Sequence, residues 1–89
     1  MAGRWTYPPE FRATLADLGF APRPDTPPAL VRDALDELYK FELKRLRLRH
    51  LRGEVAKADF ADRVIQLRKK YWLLTLSVDA WEKICAPQK

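Results

Sequence analysis

The sequence predicts an all-α fold, a long antiparallel helical hairpin with a short flanking helix at each end. Three observations carry this. From Leu30 to Leu51 there is no Gly or Pro, and good helix formers dominate. From Phe60 to Leu74 apolar residues recur every three or four positions, the period of one helix face. Between them lies Arg52-Gly53-Glu54-Val55, and a connection that short favours antiparallel neighbours. No apolar–polar alternation is long enough to argue for a sheet.

Each element follows from local chemistry. Trp5-Thr6-Tyr7 leads into Pro8-Pro9, and a short helix is expected through Phe11, Leu15 and Leu18. Gly19 is placed to stop it in the left-handed region, with Phe20 folding back on Leu15. Residues 21–28 hold four prolines and read as a stiff, extended strap. Thr26 is the expected N-cap of the first long helix and Pro27 its first residue. Asp36 and Glu37 can pair with Lys40, and Glu42 with Arg45, at helical spacing. Gly53 is the expected stop.

The second long helix starts at a weak N-cap, Ala56, which its neighbours compensate. Val55 and Phe60 have the spacing of a hydrophobic staple, and Asp59 places a carboxylate near the positive helix end. Phe60, Val64, Leu67, Tyr71 and Leu74 form the apolar face, widened by Ala61, Ile65 and Trp72. Ser77 is the expected cap of a last short helix, with Asp79 in its first turn and Val78, Trp81, Ile84 and Cys85 on its apolar side. Residues 86–89 are expected to fray. The whole reads as one domain over 1–89: a short helix and strap in 1–25, the hairpin in 26–76, and a short helix and tail in 77–89.

The run Leu51-Arg52-Gly53-Glu54-Val55 followed by Asp59-Phe60 resembles the turn of the short bacterial hairpin modules of the SHOCT type. Those have a helix, a Gly-x-hydrophobic turn, then an acidic residue and an aromatic opening the next helix. The likeness covers about a third of the chain and supports the turn alone; at Ala56 the sequence departs from it, where that family usually has a hydroxyl N-cap.

Composition bounds the function. A single domain of 89 residues can bury only a modest core. With 47% hydrophobic residues it is no disordered chain, despite 33% charge. The formal charge of +5 favours polyanions without being unusual for a small helical protein. One cysteine excludes an internal disulfide framework and suits a reducing compartment. Met1 to Glu10 has no hydrophobic signal core, and no run approaches the roughly 20 apolar residues that span a bilayer. The expectation is a cytoplasmic protein without membrane contact.

No catalytic constellation stands out. His50 is the only histidine and has no neighbouring nucleophile to activate. Cys85 has only Lys83 and Lys89 nearby to lower its pKa, so it reads as a packing thiol. One His and one Cys make no closed metal site, and Gly3, Gly19 and Gly53 make no phosphate loop. The expectation is no catalytic residue, no metal and no cofactor. The enzymatic alternative is a small all-helical enzyme using Arg45, Arg49 and Glu42, which share one stripe, as a site at a subunit interface.

The surface is more informative. At about 100° per residue, Val31, Leu35, Leu38, Tyr39, Leu43 and Leu46 make one face of the first long helix, and Phe41, Leu48 and Leu51 fall on another, in line with Leu30 and Ala34. One face can meet the second helix; the other needs a different cover. Phe41, Leu48 and Leu51, rimmed by Lys44 and Arg47, are therefore the candidate partner-binding residues. Trp5 or Trp81 folding over them from within the chain is the internal alternative. Arg45, Arg49 and Arg52 cluster as a candidate anion-binding row, whereas Lys40, Lys44 and Arg47 point elsewhere, so a basic nucleic-acid-binding protein is an alternative reading. The leading expectation is a non-catalytic interaction module whose partner is another protein chain, as a homodimer or as a small accessory subunit of a larger assembly.

Overall fold

The computed structural model describes residues 4–86 of the chain. The expected fraying beyond Ala86 lies outside the described residues. The described chain is all-helical, with no strand. Its helices are α1 (Pro9–Asp17), α2 (Pro28–Leu51), α3 (Lys57–Lys70) and α4 (Val78–Ile84), with a 3₁₀ turn at Trp72–Thr75. Two compact units divide these elements: Met1–Asp33 with Leu76–Lys89, and Ala34–Thr75.

In the first unit, the N-terminal segment is tied down by its backbone. Trp5 N–H donates to Pro24 O at 2.6 Å, and Thr6 N–H to Cys85 O at 2.8 Å. The Tyr7 hydroxyl donates to Thr26 O at 2.6 Å. α1 ends as expected: Gly19 takes φ +91°, Phe20 N–H donates to Leu15 O and Gly19 N–H to Ala16 O, the double bond pattern of a Schellman stop. α4 starts on Ser77, whose Oγ accepts from Ala80 N–H at 3.1 Å. The core joins Tyr7, Phe11, Leu15, Pro28, Val31, Trp81 and Cys85, all buried. Phe11 and Trp81 meet edge to face at 5.1 Å between ring centres. Arg32 Nε donates to Leu76 O at 2.9 Å.

Two local expectations need correction here. The strap is turned rather than extended: Thr26 N–H donates to Arg23 O, and the Thr26 Oγ accepts from Arg23 N–H. With its side chain used in that turn, Thr26 does not cap α2, which begins one residue later with Pro28 in the first position. Either proline satisfies the same rule, since both lack the N–H that a first helical turn leaves unpaired.

In the second unit, α2 stops at a Schellman arrangement on Gly53 (φ +79°), with Glu54 N–H donating to Arg49 O and Gly53 N–H to His50 O. No side chain caps α3 at Ala56, while Val55 before it is buried and Phe60 is half-buried, consistent with a staple. Contacts between α2 and the segment after the turn run in reverse order. His50 stacks on Phe60 at 4.6 Å, and Tyr39 meets Tyr71 edge to face at 5.4 Å. The α-helical bonding of α3 ends at Lys70, and the chain tightens into the 3₁₀ turn where Leu74 N–H donates to Tyr71 O. Buried side chains are few: Leu35, Val55, Tyr71 and Leu73. α3 itself buries none; Phe60, Val64 and Leu67 are only half-covered.

Candidate functional site

The residues that sequence singles out separate onto two sides of α2. Phe41, Leu48 and Leu51 are exposed, at 56%, 42% and 79%. Their spacing of seven and three residues keeps them on one side of the helix. Lys44 and Arg47 are exposed beside them. Trp81, the internal alternative for covering them, is itself fully buried and meets Phe11 edge to face. Ile65 (50%) and Trp72 (36%) are also exposed, seven residues apart on the segment after the turn.

The second side is a groove of about 390 Å³ between α2 and α3. α2 supplies Glu42, Arg45, Leu46 and Arg49 at spacings of three, one and three; α3 supplies Arg63, Gln66, Leu67 and Lys70 at the same spacings. Leu46 and Leu67 are half-buried and give the groove an apolar floor. Arg45 and Arg49 are thus brought together as expected, but Arg52, the first residue past the end of α2, does not line the groove. Sequence reasoning missed Arg63, Gln66 and Lys70, since placing them needs the pairing of the two helices.

The groove's charges are unevenly satisfied. Glu42 does not pair with Arg45, as local spacing predicts. It reaches across to α3 instead, where Lys70 Nζ lies 3.2 Å away and the Tyr71 hydroxyl donates to it. Burial first, and then this carboxylate, push the Tyr71 phenol well above its usual range, so it stays a donor at neutral pH. Arg49 Nε stands 3.6 Å from Glu54, with both side chains nearly half-exposed, a weak pair. The Arg45 guanidinium lies 5.8 Å from the centre of the Phe41 ring. Arg63 makes no ion pair with a described residue.

The other candidates have structural places. His50 Nδ1 lies 2.8 Å from Val55 O; a carbonyl only accepts, so Nδ1 carries the hydrogen, and the ring locks the turn. Cys85 is a fully buried free thiol, pushed up by burial to about 11, far from the thiolate that reactivity requires. Among the described residues no cluster of His, Cys, Asp and Glu could hold a metal ion, and no helix is long and apolar enough to cross a membrane.

Comparison with known protein families, curated proteins and solved structures found no match, so the likeness of the turn to SHOCT modules rests on its own residues and assigns nothing further.

Proposed function

We propose that α2 and α3 form a long antiparallel hairpin, flanked by α1 and α4, that serves as a non-catalytic interaction module in the cytoplasm. Its partner is a second copy of this chain, held through the outer side of α2. The observation that carries this reading is the exposure of Phe41, Leu48 and Leu51 in one strip. Burying such side chains is worth about 1.5–3 kcal/mol each, a large gain for a domain of this size.

Charge along the strip favours a second copy, and one direction. Glu37, Phe41, Lys44, Leu48 and Leu51 alternate by four and three residues, the spacing of a helix–helix seam. The acid lies on one side of Phe41 and the base on the other. In a parallel pair, Glu37 would face Glu37 and Lys44 would face Lys44. In an antiparallel pair with Phe41 near the two-fold axis, Glu37 of each copy lies beside Lys44 of the other. An isologous contact satisfies both ends at once. Glu37 does pair with Lys40 at 3.6 Å within the helix, but both side chains are largely exposed, so that contact yields readily.

Light scattering over a concentration series tests this. The wild type should pass from monomer to dimer, and Leu48→Glu should stay a folded monomer. Glu37→Lys should weaken the dimer, and adding Lys44→Glu to it should restore association. A wild type that remains monomeric at about millimolar concentration, with its fold intact, sinks the reading.

A further inference from the structure

We propose that the groove between α2 and α3 is a binding site for a small organic polyanion bearing phosphate or carboxylate groups, a function separate from the strip on the outer side of α2. Two features converge on one concave surface. The first is charge: Arg45 and Arg49 stand on one wall, Arg63 and Lys70 on the other, around an opening of about 390 Å³. That volume lies in the range of small-molecule sites. The single carboxylate among the lining residues, Glu42, is occupied by Lys70 and the Tyr71 hydroxyl. Counting Glu42 against the four cations leaves an excess of three positive charges within the lining, and Arg63 has no ion-pair partner among the described residues. Like charges gathered from two helices repel one another, and an anion placed between them removes that repulsion.

The second feature is the kind of cation and what lies beneath it. Three of the four are arginines, whose planar forks match phosphate and carboxylate oxygens two at a time. Gln66 adds a neutral donor and acceptor on the α3 wall. Leu46 and Leu67 form the floor, so the site offers apolar contact below a charged rim. A bare inorganic ion uses only the rim, while an anion with a flat or aliphatic body uses both. The walls face each other across one short turn, locked by Gly53 and by the His50–Val55 hydrogen bond at 2.8 Å. The opposed cations are therefore held in register without a ligand. A backbone-tracking nucleic-acid surface differs: it spreads its cations along a face, and the exposed Lys44 and Arg47 would share in it.

Isothermal titration of the full chain at low salt tests the site, with inorganic phosphate, pyrophosphate, phenyl phosphate and citrate as probes and heparin as a long polyanion. The expected result is saturable binding of one small anion per chain, with phenyl phosphate binding more tightly than inorganic phosphate. Arg49→Gln and Arg63→Gln should each weaken binding by about tenfold or more, the loss expected for a charge-assisted pair. Lys44→Gln and Arg47→Gln, outside the groove, should leave it unchanged. Circular dichroism melting of each variant confirms that the fold is kept, and light scattering shows whether the strip still associates, so failure of one proposal is distinguishable from failure of the other. Three results would overturn the groove: no small probe binds, all four substituted cation positions matter equally, or heparin alone binds with the loss spread over every position. The last would assign the basic surface to nucleic acid or another long polyanion.

Discussion

The two compact units of this chain divide their aromatic and aliphatic residues differently between core and surface. In the unit formed by the chain's two ends, Trp81 and Leu15 are fully buried, Phe11 nearly so, and Phe11 meets Trp81 edge to face. In the Ala34–Thr75 unit, α3 buries no side chain, and Phe41, Leu48, Leu51 and Ile65 stand exposed. Yet the second unit holds most of α2 and all of α3, the two longest helices. A short terminal unit can be well packed when loops, a strap and two short helices converge from several directions. A pair of helices offers each member only one face, so an amphipathic stripe wider than that face leaves apolar surface over. Length in helix is thus no measure of core, and the unit with the longer helices leaves more large apolar side chains exposed.

The largest expected effect tests the well-packed side. Trp81→Ala removes a fully buried ring and should cost about 3–5 kcal/mol, a large share of the stability of a domain this size. Urea unfolding followed by far-ultraviolet circular dichroism reads it. A loss below about 1 kcal/mol would mean that the terminal unit is no better packed than the helix pair, and the contrast would collapse.

How far this contrast was visible in the sequence depends on range. Features fixed by a few neighbouring residues were legible: the stops at Gly19 and Gly53, the Ser77 cap, and the Val55–Phe60 spacing. Each is set by one glycine or hydroxyl, or by an apolar pair flanking a cap, whose local preference has little competition. Features needing a distant partner were not. Glu42 has a cation at helical spacing in Arg45, yet it turns to Lys70 and Tyr71, 28 and 29 residues away. Thr26 looked like a cap because its sequence context fits one, and the Arg23 N–H claims it first. The groove shows the boundary between the two cases. Its α2 wall could be drawn on a helical wheel, whereas its α3 wall needed the pairing of the helices. Trp81 could as well have covered Phe41; nothing in the order of residues ties it to Phe11.

A middle-sized effect probes the turn that sets this pairing. Gly53→Ala should lower stability by about 1 kcal/mol. Nothing lies near the position of an added Cβ, so the cost comes from the backbone at φ +79° alone. Gly19→Ala, at φ +91° with equally open surroundings, should cost about the same. The pair therefore separates turn chemistry from the packing around it. If Gly19→Ala costs much more than Gly53→Ala, the terminal unit adds rigidity that the helix pair lacks, and the comparison sharpens. Equal losses confine the difference between the units to their side chains.

The smallest effect is the most discriminating. Leu51 is the most exposed large apolar residue described, at 79%, so replacing it by Gln removes almost no burial from an isolated chain. In dilute solution Leu51→Gln should shift stability by no more than about 0.5 kcal/mol, as for surface positions in general. A dimer changes the reckoning, because association stabilises the folded state by mass action, more so as concentration rises. With the strip buried between copies, the wild type should gain in melting temperature on concentration while Leu51→Gln gains less, the two curves diverging from a common dilute limit. Thermal melts at micromolar and near-millimolar concentration follow this directly. Parallel curves would mean that Leu51 stays in water at every concentration, and the strip would then end at Leu48. A gap already open at the dilute end would place Leu51 in a contact within the chain, and the helix pair would be better packed than its exposed side chains indicate.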